Sequence, residues 1–173
     1  IILLSFSSKL FSQPESKYGV VFSYASWENT KLNPNYIPSQ NDTCFFLVST
    51  RNYDPAKKEF LDNEYDTTQT LKYFVVYFNQ NNWITVPHPS LEKMLDTKEN
   101  FNDLVIFTEG LGKTFTKGVD RATRLNKTYQ TDVIFFDWPT ERTDIKPGKN
   151  IKITYAIAPL VAKPYAHFLE EFQ

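Results

Sequence analysis

The sequence has few of the residues that mark several common classes of protein. Its 173 residues include one cysteine, Cys44, so no intrachain disulfide can form. The formal net charge is −1 and no basic tract occurs, which argues against a nucleic-acid-binding protein. Glycine is scarce, with five residues, whereas aromatic residues reach 16%. This combination favours packed aromatic strands over loop-rich or disordered structure.

The residues that most often carry chemistry are also sparse. Cys44 lies in an apolar, β-branched and aromatic run, which predicts a buried, unreactive thiol. The two histidines, His88 and His167, are far apart and lack the spacing of metal ligands. We interpret His88 as a loop residue and His167 as a helix residue, each with a surface or packing role. The sequence predicts neither a metal site nor a cofactor.

No apolar run is long enough to span a bilayer, but the first residues are apolar. Residues 1–13, IILLSFSSKLFSQ, resemble the end of a signal peptide, with cleavage near Ser12 and Gln13. This interpretation predicts export, to a periplasm or the extracellular space, and one domain over residues 14–173. The alternative is an N-terminal strand or hydrophobic arm.

The hydrophobic pattern predicts an α/β fold in which antiparallel N-terminal strands lead into a parallel βαβ unit. A short helix follows Ser90, a longer one runs from Thr114 or Thr116 to about Gln130, and a last one is kinked or divided by Pro159 and Pro164. The predicted strands are residues 18–25, 43–51, 71–78, 83–86, 104–108 and 133–136.

The strand–turn–helix–strand unit of residues 103–140 carries the main functional signal. Its turn, Glu109-Gly-Leu-Gly-Lys-Thr, looks at first like a phosphate-binding loop. Such a loop needs a glycine five residues before Gly112, and Phe107 occupies that position. Nucleotide binding is therefore an alternative hypothesis only. Backbone N–H groups at Gly110 and Leu111, near a helix N-terminus, better fit half of an oxyanion hole.

The same segment supports a family resemblance. DLVIFTEGLGKTF, VDRATRLNKTY and DVIFFDWPT resemble the N-terminal portion of a group of poorly characterised, serine esterase-like α/β-hydrolase-fold proteins. The resemblance covers roughly residues 43–172. It implies an incomplete three-layer α/β-hydrolase-like sheet in an enzyme that acts on an ester or similar acyl bond of an undefined substrate. The matching residues are Gly110, Gly112, Phe115, Arg121, Ala122, Asp137, Trp138 and Pro139.

Two departures from the family pattern shape the functional hypotheses. Glu109 stands where the family has histidine, and its charge opposes a developing oxyanion unless it is paired; we expect Lys113 to pair with it. No Gly-x-Ser-x-Gly elbow occurs, so the resemblance implies a nucleophile, acid and histidine beyond Gln173. The alternative to an enzyme is a non-catalytic binding or structural protein on the same fold.

Other charged residues receive structural interpretations. Asp137 ends a strand where α/β folds place ligands, but we interpret it as a loop or turn residue beside Trp138 and Pro139. The charges on the helix after the glycine turn are interpreted as solvated. These are Lys117, Asp120, Arg121, Arg124 and Lys127.

Overall fold

The computed structural model describes residues 2–4, 30–39, 42–57, 60–79, 82–110, 114–140 and 146–172. The predicted strand over residues 18–25 lies outside these ranges. Nine strands are described: β1 (Ile2–Leu4), β2 (Lys31–Leu32), β3 (Thr43–Ser49), β4 (Arg51–Tyr53), β5 (Leu61–Tyr65), β6 (Lys72–Asn79), β7 (Asn82–His88), β8 (Leu104–Thr108) and β9 (Asp132–Asp137). The described helices are α1 (Leu91–Leu95), α2 (Phe115–Tyr129) and α3 (Pro147–Glu171).

Seven of these strands form one mixed sheet, in the order β1-β8-β9-β3-β6-β7-β2. Strands β1, β8, β9 and β3 are parallel neighbours, whereas β3, β6 and β7 pair in antiparallel fashion. The predicted α/β class and the change from antiparallel to parallel pairing are confirmed. Strand β9 lies between β8 and β3 in the sheet. The crossover from β8 through α2 therefore ends in a strand that pairs with both β8 and β3.

Helices pack on both faces of the sheet. Successive side chains of a strand point to opposite faces, and the central strands carry apolar side chains on both of them. Four apolar residues of α2 contact one face, together with Phe60 and Leu61. Helices α1 and α3 contact the other face through Leu91, Met94, Val161 and Phe168. The α2 residues are those that the helical spacing predicted: Phe115, Val119, Ala122 and Leu125.

Local signals set the helix ends as expected. The Ser90 hydroxyl accepts a hydrogen bond from the Lys93 N–H, 3.2 Å away, at the start of α1. Thr114 caps α2 in the same way through the N–H of Lys117. At the other end of α2, Gln130 is left-handed, with φ 51°, which stops the helix at its predicted boundary.

Three segments differ from the prediction or add to it. The predicted strand over residues 43–51 breaks at Thr50, and Arg51–Tyr53 pairs with Leu61–Tyr65 in a separate hairpin. The polar sequence of β5 lacks the alternating pattern that would have indicated a strand. Ile2–Leu4 is a strand that pairs in parallel with β8, while the signal-peptide interpretation of residues 1–13 stays a prediction.

The prediction that Pro159 and Pro164 divide the last helix was wrong. Helix α3 is continuous over 25 residues with Pro159 and Pro164 inside it. Packing of Val161 and Phe168 against the sheet holds this helix together in spite of the lost backbone hydrogen bonds. Among the described residues, no helix is both long and apolar enough to cross a membrane.

Candidate functional site

The candidate site lies at the carboxyl edge of the parallel strands. In the sheet register Ser49 is opposite Asp137, and Thr108 is opposite Phe136, so β3, β9 and β8 end at the same level. Open α/β sheets bind their ligands outside this edge. Glu109 and Gly110 follow β8 directly and therefore lie at the edge.

Glu109 is buried and held by an arginine of α2. Its side chain is 7% exposed, and Arg121 Nη1 lies 2.7 Å from Oε1 and 2.8 Å from Oε2. The interpretation of Arg121 as a solvated surface charge was wrong, since this side chain is only 13% exposed. Lys113, the partner expected for Glu109, lies outside the described residues. The carboxylate beside the turn is therefore neutralised from the helix that follows it.

Trp138 ties the loop after β9 to the same residue. Its indole Nε1 donates a hydrogen bond to the backbone carbonyl of Glu109 over 3.0 Å. The partly buried indole also packs against the apolar cluster that includes Val161 and Phe168 of α3. The residue before the glycine turn is thus fixed at its side chain by Arg121 and at its backbone by Trp138.

A second buried ion pair lies beside the ends of strands β3 and β9. Arg51 Nε is 2.7 Å from Asp137 Oδ2, Nη2 is 3.2 Å from Oδ1, and the two side chains are 1% and 3% exposed. The Ser49 hydroxyl donates to the same Oδ2 over 2.8 Å. The guanidinium also lies over the Phe115 ring, 5.1 Å from its centroid, at the start of α2.

This network corrects the interpretation of Asp137 as a loop or turn residue. Asp137 is the last residue of β9, is buried, and joins the ends of β9 and β3. One weak sign of its partner is visible in the sequence: Arg51 comes two residues after the end of the buried strand β3, so its side chain starts near a buried position. Buried charges of this kind require a hydrogen-bonded counter-charge.

The glycine turn itself is open at its described end. Gly110 is exposed, its backbone is not left-handed, and an added Cβ would meet no atom within 4 Å. Glycine is therefore not required there for the bend that we had expected. Instead, the absence of a side chain leaves free space beside its Cα. Leu111, Gly112 and Lys113 lie outside the described residues, so the second predicted oxyanion donor has no position here.

The remaining candidates lie at different levels of the sheet or on α3. Cys44 is near the start of β3, whereas His88 is level with Val48 at the carboxyl edge, two strands away from β3. Cys44 is half-buried and not fully buried as predicted, and burial raises the pKa of its thiol to about 12, as expected for an unreactive thiol. His88 is not a loop residue but the last residue of β7, and burial lowers its pKa. His167 is exposed on α3, 3.3 Å from Glu171. Phe107, which occupies the position of the missing phosphate-loop glycine, is buried within β8.

Comparison with known proteins yields no match: no family model, no curated protein and no solved structure is similar to this chain. The fold and the carboxyl edge therefore define the protein only as a mixed α/β protein with a candidate site beside Glu109, Arg121, Trp138 and Gly110.

Proposed function

We propose that this chain forms part of an α/β-hydrolase-like enzyme that cleaves an ester or similar acyl bond. The observation that carries the proposal is the order β8, α2, β9, in which Glu109 and Gly110 follow β8 at the carboxyl edge of four parallel strands. Helices on both faces of a mixed sheet agree with the three-layer arrangement of that fold. The backbone N–H of Gly110, an exposed residue, is assigned to the developing oxyanion.

The negative charge of Glu109 is compatible with an oxyanion hole at Gly110 because Arg121 neutralises it. Two like charges about 4 Å apart near a protein surface repel each other by roughly 4 kcal/mol, enough to oppose an oxyanion. Arg121 contacts both carboxylate oxygens and cancels most of that repulsion. The 173 residues contain no Gly-x-Ser-x-Gly elbow, so the proposal assigns the nucleophile to such an elbow outside them.

A fluorophosphonate probe, which phosphonylates activated serines, tests the proposal on the protein expressed from its complete coding sequence. We expect covalent labelling that heat denaturation abolishes. The variant Arg121→Met should label more slowly, since Glu109 then repels the oxyanion-like adduct, and Glu109→Gln combined with Arg121→Met should recover most of the rate. Arg124→Met is the matched control on the same helix. Absence of labelling of the folded protein would overturn the proposal.

The contact of Arg121 Nη1 with both oxygens of Glu109 also favours one alternative. Both carboxylate oxygens are occupied within the fold, which suits a non-catalytic binding or structural protein. Under this alternative the folded protein is neither labelled by the probe nor active on short-chain nitrophenyl esters.

A further inference from the structure

A polar groove lies between the β4–β5 hairpin and the start of β6. It is open to solvent and has a volume of about 550 Å³, within the range of small-molecule sites. Every lining residue carries a polar or charged group, but carbon atoms contribute more than half of the exposed lining surface, so a fitting ligand offers both hydrogen-bonding groups and an apolar face. The lining residues are Asn52, Tyr53, Asp54, Lys57, Asp66, Thr68, Thr70 and Lys72.

The charges of the groove cancel one another. Two lysines face two aspartates, and Lys72 forms an ion pair with Asp66. Asp66 also accepts a hydrogen bond from the Thr68 hydroxyl over 2.6 Å, while Asp54 accepts one from the Ala56 N–H over 3.0 Å. A strongly anionic ligand would meet the aspartates, and a strongly cationic one would meet the lysines. The lining therefore selects for a ligand without net charge.

The uncharged groups supply both donors and acceptors. The half-buried Asn52 amide and the Thr68 and Thr70 hydroxyls each donate and accept, and carboxylate oxygens accept from neighbouring hydroxyl groups. The Tyr53 ring is fixed by edge contacts with Phe60 and Phe74, at centroid distances of 6.2 and 5.3 Å, so its hydroxyl has a defined position. From this lining we propose that the groove binds a neutral polyhydroxylated ligand, a carbohydrate or polyol.

The groove adjoins the carboxyl edge but does not depend on the reaction proposed there. The Asp66 N–H donates to the Thr50 carbonyl over 2.9 Å, and Lys72 is opposite Ser49 in the sheet. A bound sugar would therefore lie beside the edge that carries Arg51 and Asp137. Binding requires no nucleophile and no turnover, so its failure and the failure of the hydrolase proposal are separate results.

Titration of the isotope-labelled protein with maltose, cellobiose and sorbitol, followed by amide NMR, tests the proposal. We expect saturable shifts confined to residues 52–57 and 66–72, and weaker shifts with glucose 6-phosphate or glucosamine. Asn52→Ala and Tyr53→Phe should each raise the dissociation constant by about 2- to 10-fold, the effect of one lost hydrogen bond. Tyr129→Phe, an exposed tyrosine on α2, is the control and should change nothing.

Several outcomes would overturn the inference. One is the absence of shifts with all three neutral ligands up to their solubility limits. Others are shifts mapped elsewhere on the protein, and tighter binding of either charged sugar. If Asn52→Ala unfolds the protein, Tyr53→Phe still decides the matter, because it keeps the ring contacts with Phe60 and Phe74.

Discussion

Arg51 and Asp137 bring two opposite charges into the interior at the edge that holds the candidate site. They are 86 residues apart in sequence, and both side chains are almost fully buried. Removing one partner of such a pair leaves the other charge buried and unpaired, which destabilises far more than loss of an exposed ion pair. The position of Asp137 at a strand end was predictable from sequence, whereas its partner was not, since no local pattern relates residues so far apart.

We predict that Arg51→Met lowers the free energy of unfolding by about 3–5 kcal/mol, because the Asp137 carboxylate then keeps its hydrogen bond from Ser49 but has no counter-charge among the described residues. Urea denaturation followed by circular dichroism measures the change. Lys93→Met is the control: its ion pair with Asp96 is exposed, and we expect no measurable effect. Arg51→Met combined with Asp137→Leu should recover most of the loss. A single-variant effect as small as the control would contradict this account of the pair.

At the scale of elements, helix α2 approaches strand β9 at a glycine. A Cβ on Gly118 would lie 2.9 Å from Cε1 of Phe135 and closer still to its Cζ. The Phe135 ring is 1% exposed and packs against Phe107 and Phe115, so it has little room to move. The helix and the strand were each predicted from their apolar periodicity, but this close approach depends on how the two surfaces meet.

We expect Gly118→Ala to destabilise the protein by roughly 1–3 kcal/mol, because overpacking outweighs the gain in helix propensity. Gly148→Ala is the matched control in the first turn of α3. An added Cβ there meets no atom within 4 Å, so this variant should gain up to about 1 kcal/mol from helix propensity. Urea midpoints of the two variants should move in opposite directions. Equal or stabilising shifts in both would contradict the predicted contact.

At the scale of the whole molecule, acid sensitivity depends on groups that the sheet partly buries. His88 ends β7 opposite Tyr73, and its Nε2 is buried without a hydrogen-bond partner among the described residues. Burial lowers the pKa of His88, so the folded protein favours the neutral ring. Burial by itself would raise the pKa of Asp66, but hydrogen bonds from Lys72 and Thr68 lower it below its ordinary value.

The signs of these shifts separate two pH ranges. A lowered folded pKa means that the unfolded chain binds more protons, so stability is lost as the pH falls. For His88 the loss begins about one pH unit above 6.5, the ordinary pKa of histidine, whereas for Asp66 it begins only about one unit above pH 4. A decline in stability between about pH 7.5 and pH 5.5 is therefore assigned to His88 and not to Asp66.

We predict that the free energy of unfolding of the wild-type protein falls over that range, and that His88→Gln reduces the fall. Urea denaturation at several pH values measures both slopes. His167→Gln is the control, since that side chain is 63% exposed on α3. If His88→Gln and wild type show the same slope, burial of the imidazole does not govern the acid response.

The sequence by itself determined the identity of most long elements. Continuous apolar runs specified β3, β6, β8 and β9, while helical spacing and a threonine cap specified α2. These signals are local, because side-chain periodicity and capping depend on residues within a few positions of one another. The location of Glu109 and Gly110 after β8 follows from the same signals.

Only the tertiary structure decided which strands are neighbours and which charges meet. Insertion of β9 between β8 and β3 brings Asp137 to Arg51, and packing of α2 on the sheet brings Arg121 to Glu109. From the sequence alone, several lysines and arginines are possible partners of each buried carboxylate. Register and burial remove that ambiguity, since a carboxylate enters the interior only beside a partner that the fold carries to within hydrogen-bonding distance.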